Sequence, residues 1–385
     1  MIDPGKSAIE MKILSVLCIF VFCGILVAGL WPFHRPTNQV TWLSNADGLL
    51  LGRHGTVVGS GPSKTSSSQD EMSASIEIWL QPRLVDDSST ILAFYTPEHA
   101  IQFSLHQSEA DLVLQKGSQN QHIHAKSATV VYVDEVFRER QLVFITITSG
   151  RQGSAIYVNG ALARTSPQFR LSSNAFIGQL VLGTSPVVND SWSGQLRGLA
   201  FYNQELNAAQ VSEHFESWTI KGQPDRSHDK KLLALYLFDE HRGSIVHDRS
   251  DSGINLQIPE RYLILHEKFL EPPWKEFYVG WSYWKNVGIN IGGFIPLGFF
   301  FCAYLTMAKQ TSGPALVTVL IGAGTSLTIE VLQAYLPTRD SGITDLFTNT
   351  MGTGLGVILY RWQAALLIEV FQRIRSAVVR TPASA

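Results

Sequence analysis

The residues able to do chemistry cluster in "SLTIEVLQAYLPTRDSGITDLFTNTMGTGLG", Ser326 to Gly356. Glu330 and Gln333 are spaced i, i+3, so on a helix they project from nearly one face. Asp345, Asn349, Gly352 and Gly356 follow at i, i+4, i+7 and i+11. Upstream, Asn286, Asn290 and Gly293 repeat the pattern, and Arg339 sits in the turn "PTRDSG". A carboxylate, an amide pair and a guanidinium could receive a polar headgroup or a sugar. With Glu330 or Asp345 as general base they could also process a lipid-linked sugar, although no nucleophile can be assigned. The competing reading is helix glue, because polar and small residues also hold membrane helices together. An ionisable group at membrane depth is costly, so Glu330 is expected to face inward and pair with Arg339 or Asn290.

These residues lie on segments apolar enough to be membrane helices. Ile13 to Leu30 is uncharged, follows Lys12 and ends at Trp31 and Phe33, the flanking chemistry of a spanning helix. A cleaved signal peptide is the rival reading, and either Met1 or Met11 could start the chain. Further runs cover Val287 to Ala308, Pro314 to Leu336, and Leu346 to Tyr360. Lys12, Lys309, Arg361, Arg373, Arg375 and Arg380 then fall on one side, which the positive-inside rule makes cytoplasmic. "WQAALLIEVFQRIRSAVVR" reads as an amphipathic interfacial helix or a packed cytoplasmic tail helix.

Composition agrees with that division. Of 385 residues, 45% are hydrophobic and only 16% charged, with the apolar excess gathered in a few runs at the two ends. A net charge of -2 gives no basic face for nucleic acid. The three cysteines, Cys18, Cys23 and Cys302, all lie in apolar runs, so an exported middle section folds without disulfides.

That middle section alternates with period two: "SIEIWLQP", "IQFSLHQ", "DLVLQKG", "LVFITITSG", "SAIYVNGALA", "QLVLGTS", "LRGLAFYNQ". Such runs between Gly, Asn, Ser and Pro breaks predict an antiparallel sandwich or barrel. The "VNG" ending at Gly160 supplies hairpin-turn residues, and "SGPSKTSSSQDE" is expected to be an exposed loop. Several side chains compete for a binding role. His122 and His124 would share a strand face but lack a third metal ligand, so they read best as surface histidines. Asn189 and Asp190 beside Trp192 form a candidate ligand or calcium loop, with an ordinary turn as the more economical reading. Asp239, Glu240 and Asp248 could add calcium ligands or serve as turn residues. No paired carboxylates at a readable spacing suggest a glycosidase.

Two resemblances follow from these residues. "SIEIWLQP", "LVFITITSGRQGSAIYVNGAL" and "LVLGTSPVVNDSWSGQLRGLAFYNQELNAAQVSEHF" resemble successive blocks of a LamG-like, concanavalin A-type jelly roll. "YLFDEHRGSIVHDRSDSG", which resembles the opening strand of such domains, comes after the last block, so the resemblance implies a circular permutation. "NVGINIGGFIPLGFFF" and Ser326 to Gly356 resemble the VanZ-like family. The expected organisation is a transmembrane helix at 12–33, an external sandwich at 38–265, an interfacial connector at 266–285, helices two to four at 286–362 and an amphipathic tail at 363–385.

The fold class expected is thus mixed: an α-helical membrane bundle of about four spans plus an all-β jelly-roll sandwich. The resemblances imply a multi-pass protein of the bacterial cell envelope, in the inner membrane with its sandwich outside. The lectin-like module would bind glycan, and the bundle would hold or act on an envelope lipid or polysaccharide. The candidate bundle site is Asn290, Glu330, Gln333, Arg339, Asp345 and Asn349. A processing enzyme and a scaffold with a protein-binding sandwich stand as alternatives, with the balance against catalysis. Calcium in the sandwich is the one cofactor considered.

Overall fold

A computed structural model describes residues 4–62, 73–86, 88–98, 101–117, 129–224, 231–266, 269–277, 280–309, 311–339 and 341–379. In chain order the elements are α1 (Pro4–Leu30), β1 (Val40–Trp42), β2 (Leu49–Leu51), β3 (Val57–Ser60), β4 (Ala74–Pro82), β5 (Ser88–Tyr95), β6 (Phe103–Ser108), β7 (Asp111–Lys116) and β8 (Thr129–Val133). There follow β9 (Val143–Gly150), β10 (Gly153–Val158), β11 (Ala161–Ser166), β12 (Gln179–Leu182), β13 (Gly194–Tyr202), α2 (Ala208–Lys221), β14 (Leu232–Tyr236), β15 (Ile245–Val246) and β16 (Leu256–Gln257). The chain ends in α3 (Pro273–Glu276), α4 (Trp281–Ala308), α5 (Pro314–Gln333) and α6 (Ile343–Val379). Two compact units result, Arg35–His266 and the pair of segments Met1–His34 with Glu267–Ala385.

The unit Arg35–His266 is a sandwich of two eight-stranded antiparallel sheets. One runs β1-β2-β13-β4-β9-β10-β11, with β14 also on β13; the other runs β15-β16-β3-β12-β5-β6-β7-β8. Period-two alternation explains the layers. Ile76, Ile78 and Leu80 of β4 point into the shared core with Leu199, Phe201, Phe94 and Phe103, whereas Glu77 lies on the opposite face. That outer face is covered by α2, whose Val211 and Trp218 pack on Phe144, Tyr157 and Tyr202. Asn207 and Gln210 form a capping box at its start, and Gly222 ends it in the left-handed region at φ 72. Asn159 and Gly160, at φ 51 and 78, make the β10–β11 turn, where the twist of a two-residue hairpin requires positive φ at both positions.

The other unit is a helical bundle. Among the described residues three of its helices are long and apolar enough to cross a membrane: Met11–Leu30, Tyr283–Ala308 and Pro314–Gln333. The fourth expected span lies in α6, which runs without a break from Ile343 to Val379. The expected tail helix is therefore the continuation of α6, and Arg380 lies outside the described residues. So do His122, His124 and most of the Ser-rich loop.

Helices α4 and α6 touch along a seam of small residues. A Cβ on Gly352 would lie 2.2 Å from the Ile291 carbonyl oxygen, and one on Gly356 the same distance from that of Ile295. Side-chain-free positions let the two backbones meet, which is how helices pack where lipid removes the hydrophobic drive. Gly293 has open space around it instead and lines a cleft. Thr318, Thr325, Thr348 and Thr353 return their hydroxyls to carbonyls four residues back, so these polar groups need no outside partner.

Candidate functional site

The end of α1, the start of α4, the end of α5 and the start of α6 come together at one end of the bundle. They enclose a cleft of about 380 Å³ lined by Asn286, Asn290, Glu330, Gln333, Arg339, Asp345 and Asn349, with Ile25, Gly29, Gly293 and Ile329 among its apolar walls. All six membrane-cluster residues singled out in the sequence are therefore in one wall. Exposed Trp31, Trp281, Trp284 and Tyr335 lie at the same helix ends, the residue types that settle at a membrane interface.

Their partners differ from the expectation. Glu330, 1% exposed, does not pair with Arg339 or Asn290; its Oε2 accepts the Gly342 N–H at 2.8 Å. Arg339 instead donates from Nε to the Trp31 carbonyl and from Nη2 to that of Ala28, both at 3.1 Å. The physical reason is helix termini. The last carbonyls of α1 have no intrahelical donor and the first amides of α6 no acceptor, so a guanidinium closes one end and a carboxylate the other. Glu276, unmarked in the sequence, does the same work: its Oε2 accepts the Thr344 N–H at 3.0 Å. Its segment is stitched to the turn before α6 by Glu271 N–H to Ser341 O and Ile343 N–H to Glu271 O.

Two amides in the wall are half satisfied. Gln333 donates Nε2 to Gly29 O at 2.7 Å, and Asn349 donates Nδ2 to Ser326 Oγ at 2.9 Å. The Oε1 of Gln333 and the Oδ1 of Asn349 are buried and accept nothing. An unpaired buried acceptor costs about 1–3 kcal/mol, so two in one wall oppose stability.

The sandwich candidates behave differently. Trp192 is 1% exposed and its indole N–H bonds Gln107 Oε1 at 2.7 Å, so it is a core residue and offers no surface ring to a sugar. Asp190 accepts the Thr90 hydroxyl at 2.8 Å and the Ser185 N–H at 2.9 Å, while Asn189 accepts the Tyr262 hydroxyl at 3.1 Å. This is a loop held by its own side chains. Asp248 accepts from Leu235 and Ser250 N–H and from the Ser250 and Ser252 hydroxyls. Burial pushes its carboxyl up, but the bonds from Ser252, Leu235 and Ser250 outweigh that and hold it below the ordinary carboxylate value. Asp239 pairs with Arg249, and Glu240 accepts the His247 N–H at 2.7 Å. Among the described residues no three His, Cys, Asp or Glu side chains gather as a metal site. A second cleft of about 420 Å³ lies over β3, β12 and β16, lined by Ser60, Gln179, Asn255 and Gln257 with Val58 and Leu263.

One buried cluster gave no signal in the sequence. Glu77, fully buried, receives His214 Nδ1 at 2.9 Å on Oε1, and the Tyr202 hydroxyl at 2.8 Å and Trp218 Nε1 at 3.0 Å on Oε2. It ties α2 to the sheet.

Comparisons with known proteins agree with both halves. Residues 58–212 match the concanavalin A-like lectin/glucanases superfamily, and residues 232–372 match the VanZ/LLP1 family, a match that begins at β14. No curated protein sequence matches the chain. Similar solved structures include a botulinum neurotoxin serotype D/C binding domain, 16% identical over 47% of this chain and 46% of that one, TM-score 0.34. A heptameric SAP-like pentraxin from Limulus polyphemus is 16% identical over 55% of this chain and 99% of its own, TM-score 0.32. The Ruminococcus gnavus IT-sialidase CBM40 bound to alpha2,3 sialyllactose is 14% identical over 43% and 95%, TM-score 0.33. The chain spans about half the length of the neurotoxin domain, and scores this low carry no functional argument. The chain is a composite, a concanavalin A-like lectin/glucanase domain joined in one polypeptide to a VanZ-like membrane segment.

Proposed function

We propose that this is an envelope protein of the inner membrane whose bundle holds the polar headgroup of an envelope lipid or lipid-linked saccharide, and whose external sandwich binds glycan. The observation that carries the bundle's role is the cleft itself. Seven polar side chains converge on it, and two of them, Gln333 and Asn349, keep a buried oxygen unpaired. Packing alone favours satisfied or apolar contacts at such a place. Lys309, just after α4, and Arg361, midway along α6 and near Cys302 in the last turns of α4, lie away from the cleft and support an outward-facing cleft under the positive-inside rule. The lectin/glucanase family match supports the glycan role, and the amide-lined cleft over β3, β12 and β16 is where we put the sugar.

The sandwich is read as an insertion in the external loop after α1, opened by circular permutation near its first strand. In support, β2 and β14, from opposite ends of the unit, pair with successive stretches of β13: Gly194–Leu196 with β2 and Leu199–Tyr202 with β14.

The test compares lipid-linked and surface polysaccharides by mass spectrometry in cells lacking the protein, with wild type, or with Glu330→Gln at matched membrane abundance. The proposal expects one species altered in both the null and the variant. Agreement between wild type and variant, with the null different, would leave the cleft as helix glue.

A further inference from the structure

Donors and acceptors are unbalanced in the wall of the bundle cleft. A carbonyl only accepts, so the bond from Gln333 to Gly29 O fixes which end of that amide is Nε2 and leaves its oxygen unpaired. Asn349, in the orientation that places Nδ2 on Ser326 Oγ, has its oxygen unpaired. Both residues are more than nine-tenths buried, with 7% and 5% of their surface exposed. Beside them line up the carboxyl groups of Glu330 and Asp345. The cation in the lining, Arg339, already directs Nε and Nη2 to carbonyls of α1. The start of α6, which would otherwise attract an anion, already gives its amides to Glu330 and Glu276.

Three ligand chemistries can be ranked against that wall. A phosphate or carboxylate would find donors at Asn286, Asn290 and Arg339 Nη1, but it would also face the carboxyl groups of Glu330 and Asp345 and the two unpaired oxygens, all of them acceptors. A sugar hydroxyl can donate to these oxygens, but each brings one donor and no charge to match two carboxyl groups. A primary ammonium brings three donors, no acceptor and a positive charge. A bare metal ion would leave most of the space unused, since about 380 Å³ compares with about 30 Å³ for one water in the liquid.

Resting on the headgroup reading above, we infer that the cleft takes a protonated primary amine, held by Glu330, Asp345 and the free oxygens of Gln333 and Asn349. The amine could be carried by the ethanolamine headgroup of a lipid or by a soluble amine.

The test uses the full chain, purified and delipidated in detergent. Phosphatidylethanolamine, phosphatidylglycerol and a monoglucosyl diacylglycerol are titrated, and the bound fraction is read by native mass spectrometry. Wild type is compared with Glu330→Gln and Gln333→Met, each variant used only if it elutes as wild type does. The expectation is a preference for phosphatidylethanolamine that falls about tenfold in Glu330→Gln, the scale of one charge-assisted hydrogen bond. Binding of free ethanolamine alone, lost in the same variants, supports the amine and assigns it to a soluble molecule. If the glucosyl lipid or phosphatidylglycerol binds through these residues and no amine does, the headgroup reading stands and the ammonium inference is overturned. If neither variant changes the binding of any of these probes, both fail.

Discussion

Two buried glutamates, Glu77 in the sandwich and Glu330 in the bundle, separate structure from function in this chain. Glu77 is fully buried and receives three side-chain donors from two other elements, Tyr202 on β13 and His214 and Trp218 on α2. Glu330 is buried almost as deeply but takes its bonds from the turn just before α6, the Gly342 amide at 2.8 Å and the Ser341 side chain, in the wall of a cleft that contains unpaired oxygens. Burial alone does not mark a ligand site. Whether the neighbours have satisfied one another does, and around Glu77 they have.

The contrast can be broken most forcefully at Glu77. Glu77→Leu strands His214, Tyr202 and the Trp218 indole beneath α2, and is expected to remove about 3–5 kcal/mol of stability, the scale for leaving three buried donors without their acceptor. Thermal unfolding of the full chain with a fluorescence probe on Trp218 would register it; a change below about 1 kcal/mol would mean that α2 is held by its apolar contacts alone.

A pH titration sharpens the comparison within the sandwich. His106 sits between the Thr90 hydroxyl at 3.0 Å and that of Ser104 at 2.7 Å, and burial pushes its pKa down to about 4. The unfolded chain binds the proton near 6.5. His106 therefore contributes stability that is complete above 6.5 and is lost as pH falls from 6.5 towards 4, in total about 3 kcal/mol. Asp248, held below the ordinary carboxylate range, loses its contribution only at still lower pH. Unfolding free energy measured between pH 7 and pH 4 should fall, and His106→Gln should flatten the fall; an unchanged slope in that variant would assign it to other groups.

In the bundle, the glycine seam is expected to matter more for stability than the polar cleft. Gly352→Ala sets a Cβ against the Ile291 carbonyl and should cost about 1–3 kcal/mol, seen as a lower unfolding midpoint in detergent. An unchanged midpoint would show that α4 and α6 can move apart freely.

Much of this was legible in the chain. Uninterrupted apolar runs gave the helices, period two gave the sheets, and Asn159-Gly160 marked a turn by chemistry that is local. The spacing of Glu330, Gln333, Asp345 and Asn349 anticipated that they line one cleft, because helical periodicity fixes which of them share a face. Their partners were not legible. Arg339 goes to the end of α1, a helix about three hundred residues away in sequence, and Glu330 to a backbone amide that carries no sequence signal. Trp192 beside Asn189 and Asp190 resembled a surface ligand loop, yet the sheet turns its ring into the core. Glu77 sits in an alternating strand at a position that usually faces water, and only the covering by α2 makes it buried.

The central claim is that the cleft is kept polar for a ligand, and its most direct test is the unfolding midpoint of Glu330→Gln beside wild type in lipid-free detergent. Glutamine keeps an acceptor for the Gly342 N–H and removes a buried ionisable group, so the midpoint is expected to stay within about 3 °C of wild type or to rise. A fall of about 10 °C or more would mean that the carboxylate is holding the helices together, and would contradict the account.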